Sequence, residues 1–236
     1  MKRFVDLHLM PPLRDMNTIE RMAQLAAEVG FHLVGLTFDS QVPNEARLET
    51  AEAFETRGLK TVSRVDLRPK HRNELLRSLR EVRSSFDIVA VECGTRQVAT
   101  VAFRDRRVDL VFFRPDRPKS IFGASTPRST RRLVEFNVTD LLGDDLSIGS
   151  DLRRASDLVS YVQRRHLPIV ISSGARNWWM MRGPRDMAAV VSMMGLEAEQ
   201  AIDAVSHIPL SVARRSLGKQ EPSYVSEGIR IVRSKA

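Results

Sequence analysis

Short apolar runs alternate with amphipathic segments along most of the chain. Candidate strands begin near residues 4, 32, 61, 88, 109, 133 and 168. This spacing is typical of repeated strand–helix units. Seven such strands, with a weak eighth candidate at residues 205–208, predict an α/β fold: a TIM-barrel-like (β/α) barrel of seven to eight parallel strands. In that architecture the strand ends and the loops that follow them carry the function.

The stretch from 168 to 195 shows the repeating unit most clearly. Residues 168–175 read as an apolar strand ending in small residues, an ending that lets a backbone approach a ligand. A basic loop containing two tryptophans follows. Pro184 then suits a helix start, and Gly195 suits the position just after the helix end. The unit is therefore a strand, a cationic loop and a helix.

The other connections also carry helix signals. The helix after strand three is expected to bury its leucines and to present Arg77, Arg80 and Arg83 to solvent. Thr95 is expected to cap the next helix, which closes at Arg106 and Arg107, where cations favour the helix dipole. Further along, Ser150 is expected to cap a helix that turns Leu152 inward, and Pro209 to start the last helix.

Two regions depart from the repeat. Between strands five and six, Pro115 and Pro118 disfavour a long helix, so we expect an irregular basic loop with a short helical turn. From residue 218 onward the chain is polar, with 229–232 as a candidate short strand. We therefore expect a single barrel domain over residues 1–217 and a polar C-terminal tail over 218–236, with at most a short extra strand.

The charge balance indicates a polyanionic partner. There are 37 Lys and Arg residues against 29 Asp and Glu, a formal net charge of +8. The apolar runs are too short for a membrane span, and no secretory signal is visible. The single Cys93 excludes an internal disulfide framework and a multi-cysteine zinc site, and we expect it to be a small buried hydrophobe.

Polar side chains recur where the predicted strands end. The candidate barrel network comprises Asp6, His8, Arg64, Asp66, Glu92 and Glu135, and Asn137 is a further candidate. One interpretation is a buried hydrogen-bonded network in which Arg64 neutralises the carboxylates. A second is a relic or working metal site. A third is a metabolic barrel enzyme that binds a phosphate at the loop 172–174.

The order of several short motifs resembles one protein family over nearly the whole chain. The motifs are Val5-Asp6-Leu7-His8, Ser63-Arg64-Val65-Asp66-Leu67, Val89-Ala90-Val91-Glu92, Val108-Asp109-Leu110, Pro168-Ile169-Val170-Ile171-Ser172-Ser173-Gly174-Ala175, Arg182-Gly183-Pro184-Arg185-Asp186 and Ala201-Ile202-Asp203-Ala204-Val205-Ser206 with Pro209. In this order they are similar to the TIM-barrel protein subunit of archaeal and eukaryotic ribonuclease P, the ribonuclease P protein component 3 family.

The resemblance implies a barrel that belongs to an endoribonuclease but is not its catalyst. In this family the RNA subunit removes the 5′ leader of precursor tRNA with its own metal ions, so magnesium is expected with the RNA and no cofactor, metal or catalytic residue in this chain. The implied partners are the ribonuclease P RNA, precursor tRNA through the holoenzyme, and a small ferredoxin-like protein subunit that forms a heterotetramer with this one. The chain length resembles the archaeal branch, which implies a cytoplasmic protein with no membrane partner.

Basic residues near the predicted strand ends and loops are the candidate RNA contacts. They are Arg68, Arg96, Arg107, Arg114, Arg117, Lys119, Arg176, Arg182 and Arg185. The competing interpretation for Arg182 or Arg185 is a surface ion pair with a carboxylate such as Asp186. Trp178 and Trp179 either stack on unpaired bases or pack, one inward and one against a partner; we favour packing for at least one.

An alternative function is a metal-dependent hydrolase. The barrel resembles, more distantly, phosphoesterases whose first strand ends in a His-x-His pair of metal ligands. Here the second position is Met10. A thioether is a poor ligand for the metals that such hydrolases use, so the sequence favours the ribonuclease P subunit over the hydrolase.

Overall fold

Seven parallel strands form one sheet whose spatial order follows the sequence. The computed structural model describes residues 2–113, 133–141, 148–220, 224–226 and 229–230. Each strand begins within one residue of its predicted start. The strands are β1 (Phe4–Leu9), β2 (Phe31–Phe38), β3 (Lys60–Leu67), β4 (Ile88–Glu92), β5 (Leu110–Phe112), β6 (Leu133–Asn137) and β7 (Ile169–Ser172).

The sheet curves until its last strand meets its first. Leu9 and Ala175 form a parallel bridge, and the Met10 amide donates to the Ala175 carbonyl at 2.8 Å. The Gly174 amide donates to the His8 carbonyl at 3.0 Å. These contacts join the carboxyl ends of β1 and β7, so the seven strands form a nearly closed barrel, as predicted from the spacing of the apolar runs.

Helices cover the outside of the barrel. They are α1 (Met16–Glu28), α2 (Asn44–Glu55), α3 (Arg72–Val82), α4 (Arg96–Ala102), α5 (Ile148–Arg164), α6 (Pro184–Met193), α7 (Ala198–Ala204) and α8 (His207–Gln220), with 3-10 turns at Val138–Leu141 and Trp178–Met180. Their buried faces pack on the outer side chains of the strands, forming one continuous apolar cluster. In the described part of the chain, no helix has the length and apolar character needed to cross a membrane.

Several helix signals act as expected and four do not, including Pro209, which is the third residue of α8 rather than its start. The Thr95 side chain accepts from the Val98 amide at 3.3 Å, capping α4. However, α4 ends at Ala102, so Arg106 and Arg107 lie beyond it and cannot act as its last turn. Helix α5 begins at Ile148, which makes the prediction of a cap at Ser150 wrong. Leu152 is 43% exposed rather than inward-facing.

The predicted eighth strand does not form. Val205 follows α7, and α8 already begins at His207, so residues 205–208 cannot extend far enough to pair as a strand. One trace of the expected pairing remains, since the Val5 amide donates to the Val205 carbonyl at 2.9 Å. A helix takes the strand's place, because α8 buries Val212 and Ala213 against the side chains inside the barrel.

The inside of the barrel has an apolar half and a polar half. The apolar cluster consists of Val5, Leu7, Leu33, Val62, Ile88, Ala90, Leu110, Phe112, Leu133 and Val170, together with Val212 and Ala213 of α8. Polar residues follow at the carboxyl ends of the same strands. The barrel is therefore a packed core, and its polar half lies beneath the loops at one end.

The C-terminal segment forms a small separate element. Helix α8 runs to Gln220 and so crosses the boundary expected at 217/218. Beyond it, β8 (Tyr224–Ser226) and β9 (Ile229–Arg230) pair antiparallel, apart from the seven-stranded sheet. The connection from 114 to 132, expected to be an irregular basic loop, lies outside the described residues.

Candidate functional site: a buried ion-pair network beneath cationic loops

The centre of the polar half is Arg64, a fully buried arginine on β3. Its Nη1 and Nη2 atoms donate to the two carboxylate oxygens of Glu135 on β6 at 2.6 and 2.5 Å. Its Nε donates to Asp66 Oδ1 at 2.7 Å, and Nη1 also donates to the Leu7 carbonyl at 2.9 Å. One guanidinium thus binds two carboxylates and a third strand, in the forked geometry that only arginine provides.

His8 on β1 completes this group. Its Nδ1 lies 2.7 Å from the Oδ1 of Asn137, and its Nε2 lies 3.1 Å from Asp66 Oδ2. The second contact is a close charge pair rather than an aligned hydrogen bond, since both atoms are buried without such a bond among the described residues. An imidazolium, with a proton on each nitrogen, fits both contacts.

The burial and charges of this group shift its protonation. Burial and the Arg64 charge both oppose protonation of His8, but Asp66 and Glu135 outweigh them, so the pKa of His8 is raised above its ordinary value. Burial would raise the pKa of Asp66, but the charges of Arg64 and His8 hold that pKa well below its usual range. Two cations therefore face two carboxylates, and the network is close to neutral.

The two other residues of the expected network lie at its edge. Asp6 is fully buried, and its Oδ1 accepts from the backbone amides of His8 and Ser173 at 3.0 and 3.1 Å. Burial raises the pKa of Asp6. Glu92, at the end of β4, pairs with the half-exposed Arg68 at 3.4 Å. Asp6 thus links β1 to the residue after β7 at the seam, the place where the first and last strands of the barrel meet. Glu92 faces a surface cation.

The network does not fit a catalytic metal ion. In the described residues, no set of three or more His, Cys, Asp or Glu side chains is arranged to hold one. Asp66 and Glu135 bring their oxygens to Arg64, and His8 directs both ring nitrogens at protein oxygens. Met10 stands where a second histidine ligand would be expected. The guanidinium supplies the positive charge that a cation would otherwise supply.

The small-residue loop after β7 has no donors to spare for a phosphate. Ser172 Oγ donates to Glu135 Oε1 at 2.7 Å, and the Ser173 and Gly174 amides donate to Asp6 and to the His8 carbonyl. Gly174 has φ +70°, and a Cβ there would collide with Thr139 Oγ1. The loop is thus small because it packs against β6 and β1, which argues against the phosphate-binding enzyme.

Three candidate RNA contacts follow Ala175: Arg176 and Arg182 in the loop, and Arg185 in the first turn of α6. Arg176 and Arg185 are exposed. Arg182 is half-buried, and its Nη1 donates to the carbonyls of Trp179 and Met181 at 2.9 and 2.8 Å. Arg182 therefore closes the loop on itself, a role that neither sequence interpretation anticipated. These two hydrogen bonds also fix the direction of the whole Arg182 side chain.

The two tryptophans of this loop have different environments. Trp178 is half-buried against the outer core, with the Arg21 guanidinium 5.7 Å from the centre of its ring. Trp179 meets it edge to face and is 59% exposed. Packing thus accounts for Trp178, while Trp179 is presented to solvent beside the arginines.

The remaining candidate RNA contacts do not all share one end of the barrel. Arg68 follows β3 and Arg96 opens α4 after β4, so both lie at the carboxyl ends of the strands, with Arg176. Arg107 precedes β5 and so lies at the opposite end, where its Nη2 binds Asp105 at 2.7 Å. Arg114, Arg117 and Lys119 lie outside the described residues.

A second buried ion cluster was missed by sequence analysis. Asp109 is fully buried, and its two oxygens accept from Arg83 Nη1 at 2.5 Å and from Lys219 Nζ at 2.6 Å. The expectation that Arg83 points to solvent is therefore wrong, because its guanidinium also donates to three backbone carbonyls. Lys219 ties α8 to the amino-terminal end of the barrel. Packing of α3 beside β5 brings Arg83 to Asp109, and docking of α8 adds Lys219.

Sequence comparisons find relatives over nearly the whole chain. The model of the RNase P subunit p30 family matches residues 3–221. The ribonuclease P protein component 3 of Methanococcoides burtonii is 25% identical over 98% of this chain and 94% of its own length. That of Methanosarcina mazei is 26% identical over 92% of this chain and 90% of its own length.

Structural comparisons agree on the fold. A chain of a cryo-EM structure of archaeal ribonuclease P with mature tRNA superposes with a TM-score of 0.77 at 17% identity, covering 98% of this chain and 99% of that one. A dihydroorotase from Campylobacter jejuni superposes with a TM-score of 0.57 at 11% identity, covering 91% of this chain and 84% of its own. The barrel fold is therefore shared with a dihydroorotase as well as with a chain of ribonuclease P.

Proposed function

The chain belongs to the RNase P subunit p30 family, and we propose that it supports the catalytic RNA of ribonuclease P in removing the 5′ leader of precursor tRNA. The observation that carries this proposal is the match of the family model to residues 3–221, nearly the whole chain. The likeness of the whole barrel to a chain of archaeal ribonuclease P supports it, since neither chain has a large part that the other lacks.

The surface has the chemistry that such a role requires. The net charge of +8 favours association with RNA, whose phosphates provide most of the binding free energy. Arg176 extends from the loop between β7 and α6, and Arg185 is the second residue of α6, so the barrel fixes the positions of both. We infer that these two arginines contact RNA phosphates. Arg182 contributes mainly by holding the loop in shape.

We infer that this chain does not perform the cleavage itself. Hydrolysis of a phosphodiester needs a nucleophile, a means of activating it and charge stabilisation at the phosphate. The only cluster of titratable groups described at the carboxyl ends of the strands is the Arg64 network, and its charges neutralise each other inside the barrel. Catalysis is therefore assigned to the RNA subunit, with magnesium as the metal bound there.

The resemblance to the family also supports a proposal about which protein subunit this chain binds and in what stoichiometry. We propose that a small ferredoxin-like subunit of ribonuclease P binds this chain and that the two form a heterotetramer. The assembly would bind the catalytic half of the RNA, and precursor tRNA would reach this chain only through the holoenzyme. A cytoplasmic location is proposed on the same basis.

The metal-dependent hydrolase remains the second candidate, since dihydroorotase shares the fold. The observation against it is the position of Arg64. Both carboxylates that would ligate a metal are bound by this one guanidinium, and an arginine cannot be deprotonated to release them. The donor set therefore does not fit a metal ion, and we assign no hydrolytic step to this chain.

Reconstitution tests the proposal. Ribonuclease P RNA of the same organism is combined with its protein subunits, with and without this chain, and precursor tRNA cleavage is measured at a limiting magnesium concentration. Addition of the chain should raise the cleavage rate, and the RNA without any protein should retain slow cleavage at high magnesium. Equal rates with and without the chain, across magnesium concentrations, would refute the proposal.

A further inference from the structure

An open groove of about 940 Å³ runs along the outside of the barrel between α3 and α4. Its floor contains the aliphatic side chains of Leu76 and Val101. Its rims carry polar and charged residues, namely His71, Arg72, Asn73, Arg96, Gln97, Thr100, Arg104 and Asp105. An apolar floor between cationic rims suits a ligand that has flat or aliphatic groups joined by anions.

The charge of the groove is not balanced from within. Three arginines line it against one carboxylate, Asp105. That carboxylate is held by Arg107, whose Nε and Nη2 donate to its two oxygens at 2.9 and 2.7 Å. Arg72 and Arg104 are exposed and form no ion pair with any described carboxylate. The groove therefore presents net positive charge to solvent.

The two arginines at the helix starts differ in what their helices offer them. Arg72 is the first residue of α3 and Arg96 the first residue of α4. The amino-terminal end of a helix favours anionic side chains, so a cation there is mildly destabilising. Helix α3 has Glu74 in its first turn to offset it, whereas α4 has no acidic residue there. Helix stability therefore does not explain a cation at the start of α4.

The spacing of the cations favours a polymer over a single anion. Arg96 lies at the start of α4 and Arg104 just beyond its end, a separation of about 12 Å at the helical rise of about 1.5 Å per residue. A single phosphate cannot reach both. An unpaired RNA strand places phosphates at intervals and can lay sugars and bases on an apolar floor.

We propose that the groove between α3 and α4 binds an unpaired segment of the ribonuclease P RNA, with Arg72 and Arg104 on its phosphates. This inference rests on the proposed function. It adds which surface of the chain binds the RNA, and that the RNA bound there is unpaired. The groove lies on the outer wall of the barrel, separate from Arg176 in the loop after β7 and from Arg185 at the start of α6. The chain then holds RNA at two places on one rigid body.

Charge removal with a matched control tests the groove. Arg72→Ala/Arg104→Ala removes two groove cations, whereas Arg77→Ala/Arg80→Ala removes two exposed cations of α3 that do not line it. Affinity for ribonuclease P RNA is measured in the complete reconstituted protein set as a function of salt. The groove variant should lose about 1.4 from the log–log salt slope, at about 0.7 for each single-stranded phosphate. The control should keep the wild-type slope.

Cross-linking identifies the occupant. Cys93 is fully buried, so Gln97→Cys places an accessible thiol in the groove and Gln24→Cys places one on α1 as a control. A photo-reactive group attached at position 97 should cross-link to unpaired nucleotides of the RNA in the holoenzyme. A cross-link to a protein subunit, or an unchanged salt slope in the groove variant, would overturn the proposal. Both results would leave intact the proposed function, which the cleavage assay with and without the chain tests separately.

Discussion

Arginines occupy two contrasting environments in this barrel. Arg64 is fully buried and binds two carboxylates and a backbone carbonyl. Arg72 and Arg104 are exposed, and no carboxylate among the described residues pairs with them. The charge of Arg64 is neutralised by carboxylates inside the fold, whereas the charges of Arg72 and Arg104 are available to a partner. The same side chain therefore serves structure in one region and binding in the other.

This contrast separates the chain from the hydrolases that share its fold. Barrel enzymes place their chemistry at the carboxyl ends of the strands, where this chain places a neutralised ion-pair network. Its unbalanced charge lies on outer loops and helices instead. Substitutions inside the barrel should therefore change stability, and substitutions outside it should change RNA binding.

The largest effect is expected from Arg64→Leu. Removal of the guanidinium leaves Asp66 and Glu135 buried without their partner, and breaking a buried ion pair in this way costs about 3–5 kcal/mol. Urea denaturation should show that loss, whereas the exposed substitution Arg77→Leu should change the free energy of unfolding by no more than about 0.5 kcal/mol. Equal stability of the two variants would show that the interior network does not support the fold.

The next effect concerns the seam between β7 and β1. Gly174→Ala forces a side chain into a left-handed backbone conformation and against Thr139, so we expect a loss of about 1–3 kcal/mol. Gly183→Ala is the matched control, because Gly183 has φ −63° and an added Cβ would press only on the end of the Asp186 side chain, which is exposed and can move. Thermal denaturation of both variants measures the difference. A neutral Gly174→Ala would mean that the seam relaxes without cost.

A smaller effect is expected from pH. The pKa of His8 is raised in the fold by Asp66 and Glu135 against burial and Arg64, with Asn137 as its neutral neighbour. The stabilisation from protonated His8 is therefore complete below about pH 6.5, the unfolded value, and is lost as pH rises through the raised pKa. It amounts to about 1.4 kcal/mol for each unit by which the pKa is raised.

Urea denaturation at several pH values measures this stabilisation by protonated His8, as the difference in free energy of unfolding between the wild type and His8→Gln. The wild type should lose stability relative to the variant as the pH rises above about 6.5. Parallel pH profiles for the two proteins would show that His8 is neutral in the fold.

The smallest effect on stability, and a clear one on binding, is expected from Arg176→Ala/Arg185→Ala. Both side chains are exposed, so the free energy of unfolding should change by no more than about 0.5 kcal/mol. If both arginines contact phosphates, the salt slope of RNA binding should fall by about 1 to 2. An unchanged slope, measured in the reconstituted protein set, would remove these two arginines from the RNA interface.

The sequence predicts most of the barrel because each strand is locally encoded. Runs such as Ile88–Glu92 and Ile169–Ser172 are apolar, bounded by turn signals and regularly spaced, so their positions need no tertiary information. The eighth strand fails for the opposite reason. Whether residues 205–208 pair or turn depends on α8, whose Val212 and Ala213 fill the inside of the barrel.

The candidate sites divide in the same way. Alternation along β3 and β6 places Arg64, Asp66 and Glu135 on inward faces, so their grouping follows from the strand pattern. The cluster of Arg83, Asp109 and Lys219 depends on how α3 and α8 pack, which no local pattern encodes. The groove between α3 and α4 is likewise a product of helix packing. The sequence singles out its Arg96 as a candidate RNA contact, but not Arg72 or Arg104.

The most direct test of the central claim asks, in one cleavage assay, whether the holoenzyme needs this chain and whether it needs the chain's interior network. Holoenzyme is reconstituted with the wild-type chain, with His8→Gln, or with this chain omitted, and precursor tRNA cleavage is measured at limiting magnesium. We expect omission to reduce the cleavage rate and His8→Gln, once shown to be folded and bound to the RNA, to retain it. Loss of cleavage in a folded, RNA-bound His8→Gln holoenzyme would contradict a structural role for the interior network and place catalysis in this chain.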